Sequence, residues 1–139
     1  MRKVLFILIC SFGWNQDVIL TFDCPEEVSS GSELNWFSFH IEIQEPNIVT
    51  NMNFDIIINP DDYVDIDIYS WIPEDPYYYE LFSLPCLQID GGLSCLFETI
   101  EPGFYIIAPG IHTFSYAFST IEVDSEVTFS FSGVDFRDL

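Results

Sequence analysis

Four carboxylates, Asp61, Asp62, Asp65 and Asp67, crowd one short stretch of the chain. Asp61 and Asp62 follow Pro60 in a turn, and Asp65 and Asp67, two positions apart, share one face of the strand that follows. Calcium takes roughly six to eight oxygen ligands from carboxylates, carbonyls and water, and a turn beside a strand offers all three. The stretch is therefore a candidate Ca²⁺ site. It lacks the glycine and terminal glutamate of an EF-hand loop, and a row of alternating aspartates is also what a half-exposed strand shows to water, so a solvated face is the alternative reading. Glu122, Asp124 and Glu126 form a second acidic ridge with the same two readings.

Residues for catalysis are sparse. The two histidines, His40 and His112, are not next to a serine or cysteine motif, and the chain has neither G-x-S-x-G nor His-rich metal spacing. A glycosidase needs only two carboxyls across the scissile bond, but among 23 acids some pair at that separation arises by chance. No enzymatic activity is expected. His40 falls on the polar side of its strand, where a solvated imidazole is expected; His112 shares a face with Phe114, Tyr116 and Phe118, as a core or interface group does. The aromatic residues Tyr69, Trp71, Tyr77, Tyr78 and Tyr79 surround the longest irregular stretch, 70–85. Rings presented flat on a surface stack on sugars or anchor protein interfaces. They are the candidate binding patch, the alternative being that they close one end of the fold.

The elements that must position these groups are strands. Periodicity is two almost throughout and no helix is evident. Strands are expected over 18–22, 34–43, 54–58, 63–69, 96–100, 104–107, 111–119 and 127–136, with the apolar run 54–58 buried on both faces. Asp90-Gly91 marks a two-residue hairpin turn, which sets residue 89 opposite 92 and Cys86 opposite Cys95. Alternation makes that last pair a non-hydrogen-bonded one, close enough for a cross-strand disulfide. Cys24 is then left as a buried thiol or an intermolecular link. About nine strands separated by Pro, Gly and Asn-Asp turns give an all-β fold, an antiparallel β-sandwich of jelly-roll type.

Met1-Arg2-Lys3 followed by the apolar run 4–10 reads as a signal peptide spanning 1–13, with cleavage before Trp14, and residues 14–139 as one domain. A buried first strand is the alternative use of that run. Nothing else approaches the roughly 18 apolar residues of a membrane span. A secreted or cell-surface location follows, in keeping with the expected disulfide. Beyond residue 13 the chain has 23 acids and a single Lys or Arg, Arg137, so nucleic acid is close to excluded as a partner and anionic membrane surfaces are disfavoured. With 49% apolar and 17% aromatic residues, the chain is rich enough to build a core despite a net charge of −20.

Three stretches carry a family likeness. Val28-Ser29-Ser30-Gly31-Ser32-Glu33 before a long alternating strand looks like the "V-x-x-G-D/S" opening of the cohesin-like extracellular β-sandwiches, which are close in architecture to cellulose-binding modules. Asn53-Phe54-Asp55-Ile56-Ile57-Ile58-Asn59-Pro60-Asp61 resembles their "F-x-L-x-Y-D-P" strand, with Asn59 where Asp is usual. Pro109-Gly110-Ile111 and the stretch 127–138 resemble the closing strands. The resemblance implies a secreted, non-enzymatic recognition or adhesion module that binds a partner protein, a dockerin-like segment that would itself be the calcium-binding side. The matching motifs are structural, so no contact residue carries over from them. Two further readings stand beside it: a carbohydrate-binding module using Trp71 and the tyrosines, and a self-assembling subunit of an extracellular filament or particle.

Overall fold

Phe37, Phe39, Ile41 and Ile43 alternate with Ser38, His40 and Glu42, which obliges that strand to bury one face and wet the other. The computed structural model describes residues 5–10, 13–14, 18–29, 31, 34–44, 49–82, 84–98, 109–121 and 125–138, and most of them follow the same rule. Its strands are β1 (Leu5–Cys10), β2 (Gly13–Trp14), β3 (Val18–Asp23), β4 (Glu27–Ser29), β5 (Asn35–Ile43), β6 (Val49–Asn59), β7 (Val64–Pro73), β8 (Cys86–Ile89), β9 (Gly92–Glu98), β10 (Gly110–Thr120) and β11 (Ser125–Asp138). They form two sheets, ordered β4-β1-β11-β6-β9-β8 and β2-β3-β5-β10-β7. Every pairing is antiparallel except β1 with β11. The β-sandwich expected from the alternation is the observed fold. The expected strand at 104–107 lies outside the described residues.

The sheets meet through rings. Phe39 of β5 packs edge-on against Phe54 of β6 at 5.6 Å between centroids, Phe37 against Phe129 of β11 at 5.3 Å, and Phe97 of β9 against Phe114 of β10 at 4.8 Å. Each of these rings is essentially inaccessible to water. Tilted and edge-to-face pairs add roughly 0.5–1.5 kcal/mol apiece to the burial term.

Three local expectations need revision. The run 54–58 is dry on one side only: Phe54, Ile56 and Ile58 are in the core, while Asp55 and Ile57 are half-exposed on the outer face of the six-stranded sheet. Two short helical pieces interrupt the strands, a 3-10 turn at Asp61–Tyr63 and a single α-turn, α1 (Tyr78–Leu81). Cys24 is disulfide-bonded, which replaces the expectation of a thiol or an intermolecular link. Cys86 and Cys95 bond each other, as expected. The run read as a leader's apolar segment forms β1, seated between β4 and β11. An uncharged apolar stretch of this length satisfies either use, and the N-terminus of the exported chain is what distinguishes them.

Candidate functional site

The outer surface of the five-stranded sheet is built by the polar half of each alternating strand. Register sets Thr21, His40 and Thr113 in one row across β3, β5 and β10, and Asp23, Ser38 and Ser115 in the next. Ser38 and Ser115 share a 2.7 Å hydrogen bond between their hydroxyls, and His40 Nδ1 is 2.8 Å from Thr113 Oγ1. His40 is thus half-buried and tied down, where the sequence suggested a freely solvated ring. These short side chains keep the middle of the face flat. Apolar groups surround them: Trp36 beside Ala117, Ile72 beside Ser115, and Ile111 beside Glu42. Trp36, Ile72 and Ile111 are exposed by 41%, 48% and 62%.

At the edge strand β7 the register slips. Ser115 pairs with Ile72 but Ala117 pairs with Asp67, so residues 68–71 bulge out opposite Tyr116. The Ser70 hydroxyl fills the gap: it accepts from the Ala117 N–H at 2.8 Å and donates to the Asp67 carbonyl at 2.6 Å. Asp67 Oδ1 accepts from the Tyr69 N–H at 3.0 Å. The bulge swings Tyr69 into water, 79% exposed, and turns Trp71 inward, 7% exposed. An Asp and a Ser spaced to bond their own backbone are the one sequence signal for this departure; the sequence reading has Asp67 as an ordinary strand residue and Ser70 as the start of the irregular stretch.

Past Pro73 the chain turns through Glu74, Asp75 and Pro76 into α1. The Glu74 N–H donates to the Thr113 carbonyl at 2.8 Å, and Asp75 Oδ1 accepts from the Tyr77 N–H at 3.0 Å. With Pro76 fixing φ, this single turn aims Tyr78 inward and Tyr77 and Tyr79 outward. Tyr78 packs against Phe114 at 5.4 Å and Phe82 at 5.9 Å, and its hydroxyl hydrogen-bonds His112 Nδ1. Burial, and secondarily the charge of Asp75, push the Tyr78 phenol up to about 12. The Tyr79 ring packs at a tilt against Trp71, 4.7 Å between centroids, and its hydroxyl donates to the Trp71 carbonyl at 3.1 Å. Where this turn faces β10, a cavity of about 430 Å³ opens, lined by Glu74, Asp75 and Pro76 on one side, by Ile111, His112 and Thr113 on the other, and by Tyr78.

The candidate residues are therefore divided. Of the five aromatics, Tyr69, Tyr77 and Tyr79 are exposed, whereas Trp71 and Tyr78 are buried and present no open ring face. Of the four aspartates, Asp61 Oδ2 accepts from the Gly91 N–H at 2.8 Å, clamping the β8–β9 hairpin, and Asp67 caps its own turn. Among the described residues no three acids, histidines or cysteines come together in a metal-binding group. In the second acidic ridge Glu126 is exposed, and Glu122 and Asp124 lie outside the described residues. Cys86 and Cys95 pair as the hairpin arithmetic required, Cα to Cα 4.0 Å, with Leu87 opposite Ser94 and Ile89 opposite Gly92. No helix among the described residues is long and apolar enough to cross a membrane. The sequence reading missed Trp36, Ile72 and Ile111, because each is a lone apolar residue in a different strand and only the sheet makes them neighbours.

No family model matches the sequence, and no curated protein matches it. Among solved structures the chain is similar to the seventh ScaB type I cohesin from Pseudobacteroides cellulosolvens, with a TM-score of 0.55 and 9% identity over 96% of this chain and 83% of that one. At that identity the similarity establishes a cohesin-like fold and leaves the function to be argued from the surface.

Proposed function

We propose that the chain is an extracellular protein-recognition module whose partner docks on the outer face of the five-stranded sheet. The observation that carries this reading is the face itself: a flat centre of short, mutually hydrogen-bonded side chains with Trp36, Ile72 and Ile111 exposed around it. Pre-paired hydroxyls cost little to cover, and apolar anchors around them supply the burial that holds a partner. The cohesin-like fold supports the same reading and makes a dockerin-like segment the partner to try first. With 23 acids against 3 basic residues, that partner is expected to be basic where it touches. The disulfides support export to an oxidising compartment. A carbohydrate platform made of Tyr69, Tyr77 and Tyr79 is the second reading, supported by their exposure.

The test immobilises the full chain and passes over it a panel of purified dockerin modules, with Ca²⁺ and with chelator, and microcrystalline cellulose in parallel. Binding of a dockerin that weakens about tenfold or more in Trp36→Ala is expected, as for an aromatic anchor. Binding of cellulose alone, lost in Tyr69→Ala/Tyr79→Ala and indifferent to Trp36→Ala, would transfer the function to the tyrosines.

A further inference from the structure

The cavity between α1 and the start of β10 has a composition that selects its occupant. Two carboxylates, Glu74 and Asp75, stand exposed at its rim. Its sides are the Pro76 ring and the Ile111 side chain, both apolar. Its floor is the Tyr78–His112 pair, fixed by their mutual hydrogen bond. The sequence beyond residue 3 has one basic residue, Arg137, so the chain has almost nothing of its own with which to neutralise the rim. A volume of about 430 Å³ exceeds what one extended side chain needs. Ile111 and Thr113 line the cavity and also belong to the docking face, so a partner lying on that face passes directly over the opening.

From these features we infer that the pocket is a cation-binding anchor site that receives a lysine side chain of the docked partner, its methylenes against Pro76 and Ile111 and its ammonium between Glu74 and Asp75. An ammonium supplies three donors and no acceptor, matching a rim that supplies only acceptors. The long stem keeps its apolar contact while the charge stays at the partly hydrated rim. A neutral side chain of equal length would partly desolvate both carboxylates without supplying a counter-charge. The inference rests on the docking reading for the source of the lysine, but the pocket's preference is a property of the free chain and is measured without any partner.

The experiment titrates the full chain with Nα-acetyl-lysine methylamide, and in parallel with the norleucine and arginine analogues, following ring resonances of Tyr78 and His112 by NMR. Saturable shifts of both rings with the lysine probe, absent with norleucine, are expected. Glu74→Gln/Asp75→Asn is expected to weaken that binding about fivefold, the scale of two partly exposed ion pairs. Glu26→Gln/Glu27→Gln, exposed acids at the β4 edge of the other sheet, removes the same charge and is expected to leave it unchanged. Equal shifts with norleucine, or equal weakening by the two charge-matched variants, would overturn the proposal by reducing it to burial or to net charge. Tighter binding of the arginine probe would overturn the choice of ammonium. A positive pocket with no protein binding at the face would sink the docking reading and leave the pocket standing.

Discussion

At the scale of single residues, two positions are pinned by geometry that substitution exposes at once. A Cβ built on Gly92 would lie 1.8 Å from the Ile56 carbonyl oxygen and 2.9 Å from its carbon, both backbone atoms of the neighbouring central strand. Nothing there yields as a flexible side chain would. Gly92→Ala is expected to cost more than about 3 kcal/mol or to abolish folding, measured by urea denaturation, whereas a wild-type midpoint would refute the close approach. The second position is Tyr78. Its phenol titrates near 12 against an ordinary 10.0, so the folded state holds the proton more tightly than the unfolded chain does. The sign follows: the contribution is complete below pH 10 and is lost as pH rises through about 12. Absorbance at 295 nm should therefore show tyrosine ionising late, and Tyr78→Phe should remove the part of that late absorbance that develops near pH 12. A further buried hydroxyl, on Tyr116, makes no well-formed hydrogen bond among the described residues, and the Cys86 backbone is the polar group that acts on it. Burial drives its pKa upward as well.

At the scale of elements, what was legible in the sequence was whatever depends on neighbours along the chain. β5 and β10 announced themselves because Phe and Ile recur at every second position, and the Cys86–Cys95 pair followed from counting outward from Asp90-Gly91. The positive φ of the turn, +86°, falls on Gly91, the residue that tolerates it. What was not legible depends on partners distant in sequence. The bulge at 68–71 exists because Ser70 reaches an N–H on β10, and the pocket exists because α1 stops short of that same strand. Opening the Cys86–Cys95 loop by double substitution to serine is expected to cost about 2–3 kcal/mol, the closure term for so short a loop, read as a lower thermal midpoint. β1 poses the sharper question. Its backbone pairs Leu5 with Ser29 and Cys10 with Phe129, it is the strand through which β4 joins the sheet, and Cys24 is disulfide-bonded. Residues 5–10 are accordingly expected to remain with the folded chain. Intact mass and thiol titration of the exported protein decide it: a chain starting at Trp14 with a reactive Cys24 would show that this run served as a leader and that the fold completes itself without β1.

At the scale of the whole molecule the dominant quantity is a net charge of −20 on 139 residues, with no lysine beyond residue 3 to relieve it. Such a chain repels itself, which keeps copies apart and opposes compaction. The edge strand β7 sharpens the point, since Asp65 and Asp67 project from it into water and a second sheet edge brought alongside would have to bury or face them. Filament growth through that edge is therefore disfavoured at low salt. Screening supplies a direct measurement, because the Debye length falls from about 30 Å at 0.01 M salt to about 3 Å at 1 M, from a span comparable to the domain to one shorter than most charge separations. The thermal midpoint is expected to climb steadily across that range in NaCl. Calcium then separates general screening from a specific site. Asp61 and Asp67 already accept backbone N–H donors, and no metal-binding group forms among the described residues, so millimolar CaCl₂ is expected to raise the midpoint no more than MgCl₂ at equal concentration. An increment with Ca²⁺ alone, abolished by Asp65→Asn/Asp67→Asn, would place a true calcium site on the 61–67 stretch and require its carboxylates to regroup around the ion.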